Sequence, residues 1–340
     1  MMNFRILLPL LGLALAAIPA PALALDIKIA TIAPDGTLWM KEMRQGAEEI
    51  LKRTDGRVTF KFYPGGTMGS DRSVLRKIRA GQLHGGALTG GALADVYPDA
   101  QLYSLPLLFR SDAELDYVRA RMDKVIVEGL EERGFVTFGF TSGGFAYVMT
   151  SAPIHRVEEL KSQKVWVPEG DDISRALFET LGVSPVPLPV TDVLTGLQTG
   201  LVTTIASSAI GAIALQWHTK VKYVTDIPAL YLYGLLAIDK KTFNRLTPAD
   251  QKVVREVMST IFTKLDKQSR LDDQNAREAL RKQGIQFVNL PPEEIAKLHK
   301  AADDTIERLG KNGAFTLAHL RTLQGHLDTY RRNPAASTRR

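Results

Sequence analysis

The feature that most constrains the fold is a regular alternation of short strands and helices near the start of the chain. Residues 26–32 begin with alternating isoleucines, and residues 58–63 alternate apolar and polar side chains, so both stretches predict strands. Each is followed by a predicted helix, over 38–53 and 71–81, in which apolar residues recur at helical spacing. A strand–helix–strand–helix order predicts a largely parallel sheet covered by helices, which is an α/β fold.

A short stretch in the second half of the chain, residues 157–174, continues the alternation and marks a candidate binding site. A strand is predicted over 164–167, a proline ends it, a glycine turns the chain, and Asp171 or Asp172 then caps the next helix. Ligands of open α/β sheets lie just beyond the carboxyl ends of the strands. Asp171 is therefore predicted to line a site, and Trp166 is predicted to face that site or the core beside it.

Two distant segments, residues 78–89 and 197–208, resemble each other. Each consists of a predicted helix end, a glycine, an apolar residue and then a strand of small residues, which places Thr89 and Ser208 at equivalent positions. Small residues allow a backbone or a ligand to approach closely. The similarity predicts two lobes of similar construction that face a shared cleft.

The first 24 residues are predicted to be a cleavable signal peptide. Arg5 precedes an apolar run over 6–18, and Ala22-Leu23-Ala24 matches the small-x-small cleavage pattern. The apolar run is shorter than the roughly 18 to 20 residues that span a bilayer, although an uncleaved anchor is the alternative interpretation. We therefore expect export to the bacterial periplasm, with the mature chain beginning at Leu25.

Composition excludes several classes of function. The chain has no cysteine, which excludes disulfides, thiolate metal sites and a cysteine nucleophile. Its formal net charge of +6 is modest, and no basic stripe with interleaved aromatic residues predicts a nucleic-acid surface. No two of the six histidines have metal-ligand spacing, and no Gly-x-Ser-x-Gly elbow occurs. The sequence thus favours a binding protein without cofactor or metal over an enzyme.

Four segments together resemble one known family, the DctP-type solute-binding subunits of tripartite ATP-independent periplasmic (TRAP) transporters. These segments are Ala30–Gly36, Gly65–Arg72, Glu159–Pro168 and Leu197–Val202. The resemblance implies a two-lobed periplasmic-binding-protein architecture, with mostly parallel sheets, crossing strands and one long helix that spans both lobes. It also implies a cleft that closes over one small organic molecule and delivers it to the subunits of a membrane permease.

Lobe boundaries follow from this resemblance and from the predicted elements. The long helix is predicted from Pro248 to about Lys282 with Thr247 as its cap. The predicted division assigns residues 25–147 and about 236–265 to lobe I, assigns residues 148–235 and about 266–330 to lobe II, and leaves 331–340 as a disordered basic tail.

Two positions depart from the family pattern that the resemblance implies. Trp166 stands where the family carries an arginine that binds the substrate carboxylate, and Ser207 stands at a ligand-contacting asparagine. Loss of the arginine removes a charge-assisted, bidentate contact, whereas Trp166 offers an aromatic face and a single N–H donor. We therefore expect an apolar or amphipathic ligand. Trp166 also makes the chain similar to an arginine-free subgroup that works beside a helical-repeat periplasmic lipoprotein.

The predicted ligand-binding residues combine strand tips, helix starts, aromatic walls and one cation. They are Trp166, Asp35, Trp39, Arg72, Thr89, Ser142, Asp171, Ser207, Ser208, Trp217 and Tyr231. Ordinary core packing remains the alternative interpretation of the aromatic residues. Three other functions stay open: a carboxylate-binding or C4-dicarboxylate-binding TRAP subunit that uses Arg72 or helix N-terminal amides near Thr37 or Ile173, a periplasmic ligand sensor for a signalling partner, and an enzyme.

Overall fold

A computed structural model of the chain describes residues 24–332. The predicted signal peptide and its cleavage site lie, except for the last residue, outside the described residues, and so does the predicted tail beyond residue 332. Within the described range, no helix combines the length and the apolarity needed to cross a membrane.

The order of elements is the alternation that the sequence predicts, with additional short strands. The strands are β1 (Leu25–Thr31), β2 (Val58–Tyr63), β3 (Gly85–Thr89), β4 (Phe135–Val136), β5 (Thr141–Thr150), β6 (Trp166–Pro168), β7 (Val186–Leu188), β8 (Thr204–Ser207), β9 (Tyr223–Thr225), β10 (Leu230–Asp239) and β11 (Gln286–Val288). The helices are α1 (Leu38–Arg53), α2 (Asp71–Arg79), α3 (Asp112–Glu132), α4 (Asp172–Thr180), α5 (Val193–Thr199), α6 (Ala209–Ala214), α7 (Lys240–Phe243), α8 (Pro248–Lys282), α9 (Pro292–Lys311) and α10 (Leu317–Arg332).

Lobe I is organised around three parallel strands. β1 pairs in parallel with β2 on one side and with β3 on the other. The side chain of Thr37 caps α1 by accepting a hydrogen bond from the backbone N–H of Met40, and Ser70 caps α2 in the same way. Apolar cores lie on both faces of this sheet, as an α/β layer arrangement requires.

The long strands β5 and β10 cross between the lobes. β10 pairs antiparallel with β3 of lobe I and with the first half of β5. The second half of β5 pairs with β8 and β9, which belong to lobe II. Parallel pairing returns within lobe II, where β6 pairs with β7 and β9 with β11. The architecture is therefore the two-lobed α/β fold, with crossing strands, that the sequence predicts.

β5 is longer than the sequence indicates. The alternation of apolar residues predicts a strand over 135–140, a loop at 141–144 and a strand only from Tyr147. The structure instead places Gly143 and Gly144 inside β5. A Cβ on Gly143 would come 3.1 Å from the Cβ of Leu232 on β10, so glycine here allows two strands to approach closely and does not mark a loop.

Helix α8 spans both lobes and has the predicted limits. Thr247 caps it through the backbone N–H of Asp250, and a proline occupies its first position. Its first half packs on α1, where the side chain of Ile261 lies 3.2 Å from the Cβ position of Gly46. Its second half packs against lobe II, where the carboxylate of Asp273 accepts a hydrogen bond from the backbone N–H of Ile210.

The last helix corrects the predicted lobe boundary. α9 packs on α4 in lobe II, but α10 returns to lobe I and packs on α3. Two buried acids hold it there: Asp99 accepts hydrogen bonds from the backbone of Thr316 and from His319, and Glu114 binds Arg331 at 2.8 Å. Residues from about 315 onward thus belong with lobe I. Arg331 and Arg332 end this helix, although the sequence assigned them to a disordered tail.

Candidate functional site

A cleft of about 150 Å³ lies where the two lobes meet. Lobe I contributes the start of α2, the end of β3 and the short helix at 91–93. Lobe II contributes the turn at 168–171 after β6 and the segment 189–191 after β7, and crossing strand β10 completes the lining. The cleft therefore lies beyond the carboxyl ends of strands from both lobes, which is the usual ligand position in open α/β sheets.

Two glycines allow the lobes to touch across this cleft. A Cβ on Gly170 would stand 2.6 Å from Nη2 of Arg72, and a Cβ on Gly66 would stand 2.7 Å from Cγ2 of Thr191. Both glycines also have positive φ values, +85° and +72°, which L side chains rarely adopt. The lobes are thus in contact on the rim of the cleft at positions that only glycine fits without rearrangement.

Carboxylates dominate the polar lining of the cleft. Asp71 accepts hydrogen bonds from the backbone N–H and the hydroxyl of Thr89, both at 3.1 Å. Asp171 caps α4 and accepts hydrogen bonds from the backbone N–H and the hydroxyl of Ser174, at 2.9 and 2.6 Å. Burial is the main cause that raises the pKa of both carboxyl groups above the ordinary value, against the lowering effect of these hydrogen bonds.

The cation of the cleft is Arg72. Its guanidinium crosses from lobe I to the backbone of Gly170 in lobe II, and its Nη2 lies 3.7 Å from a carboxylate oxygen of Asp95. Asp95 and Glu169 complete the acidic lining. Among the described residues that line the cleft, Arg72 is the sole cation, and four are acidic.

A second, apolar cavity of about 90 Å³ adjoins the cleft on the lobe II side. We call it the inner cavity. It shares Pro168, Asp171, Leu230 and Leu232 with the lining of the cleft, so these four residues stand at the junction between the two spaces. Most of its remaining walls are apolar side chains, among them Leu107, Val148, Leu177, Phe178, Ile227 and Leu298.

Trp166 forms part of the wall of the inner cavity and not of the outer cleft. Its side chain is buried, and its indole N–H donates a 3.0 Å hydrogen bond to the carbonyl of Leu188 on the neighbouring strand. Trp217 packs edge-on against it, with ring centroids 5.1 Å apart. The indole is therefore held in place by its neighbours, and its apolar surface is the part that it offers to a ligand.

Four of the predicted site residues line one of the two spaces. Arg72, Thr89 and Asp171 line the cleft, and Asp171 also lines the inner cavity together with Trp166. Trp217 lies behind Trp166 in the core of lobe II and supports it.

Three other predicted residues lie away from both spaces. Asp35 is exposed and forms a 2.8 Å ion pair with Arg44, because both side chains extend into solvent beside α1. Trp39 packs against the core between β1 and α8. Tyr231 is fully buried in lobe I, where its ring meets Phe145 edge-on. For the last two, the structure favours core packing, which was the alternative that the sequence left open.

The three predicted serines use their hydroxyl groups for internal hydrogen bonds. The hydroxyl of Ser142 accepts from the backbone N–H of Gly144, the hydroxyl of Ser207 donates to the carbonyl of Ser208, and Ser208 caps α6. All three are buried and line neither space. The structure thus places one of them on crossing strand β5 and the other two at the end of β8 and the start of α6.

The sequence did not single out several residues of the cleft, including Asp71, Gly170 and Thr191. One signal was present: Asp71 stands at a helix start, directly after the cap of α2, and Asp171 stands at a helix start as the cap of α4. The residues that line the inner cavity could not be recognised in the sequence. An apolar side chain of a helix or strand has the same spacing whether it faces a cavity or a filled core.

A buried ionic network lies beneath the cleft where α3, α8 and β5 meet. Nη1 of Arg119 donates to both carboxylate oxygens of Asp266, at 2.9 and 3.0 Å, and Nη2 donates to Asp123 at 3.1 Å. Asp266 also accepts the backbone N–H of Ser142 at 2.8 Å. The network joins both lobes at the crossing strand and lines neither space, so its role is structural.

Another buried carboxylate lies at the same junction. Asp273 on α8 accepts a 3.0 Å hydrogen bond from the backbone N–H of Ile210, and a Cβ on Gly144 would come 2.7 Å from its carboxyl carbon. Burial raises the pKa of Asp273 to about 6. Throughout residues 24–332, no group of three or more His, Asp or Glu residues is arranged to hold a metal ion.

Comparisons with known proteins agree with this geometry. The model of a family described as bacterial extracellular solute-binding protein, family 7 (DctP), matches residues 29–312. Protein YiiZ of Salmonella typhimurium is 25% identical over 213 residues, which cover 61% of this chain and 64% of that protein. The 2,3-diketo-L-gulonate-binding periplasmic protein YiaO of Escherichia coli K12 is 23% identical over 245 residues, which cover 70% of this chain and 73% of that protein.

A solved structure has the same fold. A TRAP periplasmic solute-binding protein from Xanthobacter autotrophicus Py2, crystallised with bound β-D-galacturonate, superposes with a TM-score of 0.81 at 22% sequence identity. The match covers 89% of this chain and 99% of that chain. Both lobes, the crossing strands and α8 are therefore features shared with a structure whose ligand has been observed.

Proposed function

The chain belongs to the bacterial extracellular solute-binding protein family 7, and on this premise we propose that it captures a small apolar or amphipathic ligand between its lobes and delivers it to a TRAP-type permease. The family consists of solute receptors, so the protein is an extracytoplasmic solute-binding protein and not an enzyme. A signal peptide ending near Ala24 would take it to the periplasm, and a helical-repeat lipoprotein is the further partner that Trp166 suggests.

The observation that supports an apolar or amphipathic ligand is the inner cavity beside the cleft. The two spaces share Pro168 and Leu230 in their linings, so a ligand held between the lobes lies next to this apolar space. Filling the space with hydrocarbon removes apolar surface from water, at about 25 cal/mol per Å². Trp166 supplies part of the wall at the position where the family resemblance implies a carboxylate-binding arginine. A ligand with an apolar part therefore suits this pair of spaces better than a dicarboxylate.

The size of the inner cavity limits the apolar part. An engineered cavity of about 150 Å³ lined by aliphatic and aromatic side chains accommodates benzene. The inner cavity has about 90 Å³ and therefore suits a smaller group, such as a short branched alkyl chain.

One observation favours a second candidate, a carboxylate ligand. YiaO is named for a sugar-acid derivative, and the Xanthobacter protein holds galacturonate. Arg72 would be the cation for such a ligand here. A sugar acid or a C4-dicarboxylate bound at Arg72 has no apolar part to fill the inner cavity, which is why the apolar or amphipathic ligand is the leading proposal.

Thermal-shift screening distinguishes the two candidates. We expect 3-methyl-1-butanol and related small amphipathic molecules to raise the melting temperature, and succinate and galacturonate to have little effect. Ala206 lines the inner cavity, so Ala206→Leu should fill it and abolish the stabilisation, whereas Ala206→Ser adds little volume and serves as the matched control. Stabilisation by succinate or galacturonate alone, with no effect of Ala206→Leu, would refute the proposed ligand class.

A further inference from the structure

The proposed function leaves open what the polar end of the ligand is. We infer that the cleft selects its ligand by charge: the polar end is a hydrogen-bond donor, a protonated amine binds best, a neutral hydroxyl binds less well, and a carboxylate binds worst. This inference rests on the proposed function, because it concerns the same interlobe cleft and the same apolar or amphipathic ligand.

The charges that line the cleft support this order. The described lining of the cleft contains four acidic residues, Asp71, Asp95, Glu169 and Asp171, and a single cation, Arg72. A carboxylate entering this space would lie near several like charges in a partly desolvated site, where electrostatic interactions are stronger than in water. An ammonium group would instead offset part of that negative charge.

Arg72 is already engaged by the protein. Its guanidinium packs over the backbone of Gly170, with Nη2 and the central carbon 2.6 and 2.9 Å from the position of an added Cβ. Its charge is partly balanced by Asp95 at 3.7 Å. A ligand carboxylate bound at Arg72 would therefore share this guanidinium with Asp95, which carries a like charge.

The helix N-termini at the cleft are also engaged. Free backbone N–H groups at a helix start form a favourable anion site. At α4 this site is taken by the protein itself, because Asp171 accepts the backbone N–H of Ser174. At α2 the hydroxyl of Ser70 accepts the backbone N–H of Ser73, and Asp71 adds a negative charge to the first turn. An anionic ligand would therefore have to displace groups that the protein supplies.

The carboxylates of Asp71 and Asp171 can still accept hydrogen bonds from a donor group of the ligand. Both hydrogen bonds from Thr89 end on Oδ2 of Asp71, so Oδ1 is not used by either of them. Asp171 lies at the junction of the cleft and the inner cavity, and each of its oxygens has lone pairs beyond the bond that it accepts from Ser174. A donor head group at this junction would reach the carboxylates while its alkyl part enters the inner cavity.

The direction of the pKa shifts agrees with this geometry. Burial raises the pKa of Asp71 and of Asp171, so the ionised forms are disfavoured in the unliganded cleft. A bound cation would stabilise these charges, and a bound anion would disfavour them further.

Three probes with one alkyl body test the inference: 3-methylbutylamine, 3-methyl-1-butanol and 3-methylbutanoate, titrated by calorimetry at neutral pH and low salt. We expect the amine to bind at least about tenfold more tightly than the carboxylate, with the alcohol between them. Asp71→Asn and Asp171→Asn should each reduce amine binding several-fold and leave alcohol binding nearly unchanged. Asparagine caps helices as well as aspartate does, and at position 71 its amide oxygen can still accept the backbone N–H of Thr89. Both variants should therefore fold, which their melting temperatures will verify.

Asp172→Asn is the matched control. Asp172 is exposed at the same helix start, pairs with Arg175 and does not line the cleft, so its removal should leave the order of the three probes unchanged. Tighter binding of 3-methylbutanoate than of the amine would overturn the inference while leaving the solute-binding function intact. An unchanged ratio of amine to carboxylate affinity in Asp71→Asn and Asp171→Asn would also overturn it. If none of the three probes binds, the apolar or amphipathic ligand class fails and the inference fails with it.

Discussion

The guanidinium of Arg72 in lobe I lies across the backbone of Gly170 in lobe II, so closely that a Cβ on Gly170 would stand 2.6 Å from Nη2. This contact joins the start of α2 to the turn between β6 and α4, the same two segments that bring Asp71 and Asp171 to the cleft. Closure of the lobes and the composition of the cleft are therefore linked through one side chain.

Gly170→Ala should favour the open arrangement of the lobes. Gly36 provides a matched control, because it has the same φ of +85° and no atom within 4 Å of its Cβ position. Both substitutions should lower stability by about 1 to 2 kcal/mol, since alanine disfavours a left-handed conformation. Only Gly170→Ala should also increase the radius of gyration in small-angle scattering and weaken ligand binding. Equal scattering and binding for the two variants would show that the contact does not control closure.

Trp166→Arg should weaken binding of an amphipathic ligand. The indole forms part of the inner cavity, donates to the carbonyl of Leu188 and packs on Trp217, and an arginine would bring a charge into this apolar wall. We expect a loss of stability of about 3 kcal/mol or more, and some gain in carboxylate binding. Trp166→Phe keeps an aromatic wall and should cost about 1 to 3 kcal/mol, through the lost hydrogen bond and the smaller ring. Unchanged affinity for the natural ligand in Trp166→Arg would place this residue outside the binding site.

Arg119→Leu should destabilise the protein strongly. It removes the partner of two carboxylates, Asp123 and Asp266, in a largely buried network, and loss of one member of such a network costs about 3 to 5 kcal/mol. Lys124→Ala on the same helix is the control, because Lys124 forms a 3.7 Å pair with Glu128 in which both side chains are mostly exposed. That variant should differ from wild type by less than about 1 kcal/mol. Chemical denaturation measures both values, and similar losses would contradict the structural role of the network.

Asp273→Asn should change how stability depends on pH. Burial raises the pKa of Asp273 to about 6, above the ordinary value of an aspartate, so the folded state holds this proton more tightly than the unfolded state. The protonated carboxyl group therefore stabilises the folded state fully below a pH of about 4. This stabilisation, about 3 kcal/mol in all, is lost as the pH rises through 6. Neighbouring Arg277 and Asp112 remain in the variant.

Asparagine can still accept the hydrogen bond from Ile210 but does not titrate. The free energy of unfolding of Asp273→Asn should therefore fall less between pH 4 and pH 6.5 than that of wild type. Denaturation curves at several pH values across this range measure the slope. Parallel curves for the two proteins would show that Asp273 does not titrate in this interval.

Capping residues in the sequence correctly predicted the helix starts that they determine. The start of α8 follows from Thr247 and Pro248, since a capping hydroxyl and a proline at the first position define a helix start. The sequence predicts a cap at Asp171 or Asp172, and the structure shows that Asp171 is the cap of α4. By contrast, Gly143 and Gly144 indicated a loop, because a sequence does not reveal that a second strand lies too close for a side chain.

Long-range contacts account for what the sequence did not predict. The return of α10 to lobe I depends on Asp99 and Glu114, more than 200 residues away from the partners that they bind. The inner cavity is a gap between side chains of several elements, and no single stretch encodes a gap. For Trp166, the sequence revealed the departure from the family pattern, but only the structure shows that the side chain lines the inner cavity and not the cleft.

Native mass spectrometry of the protein isolated under gentle conditions tests the central claim most directly, because it identifies the molecule that the cleft retains. The account predicts a small organic ligand with a short apolar part and a polar end that is not a carboxylate. Retention of a sugar acid or a dicarboxylate, as in the galacturonate-bound relative, would contradict it.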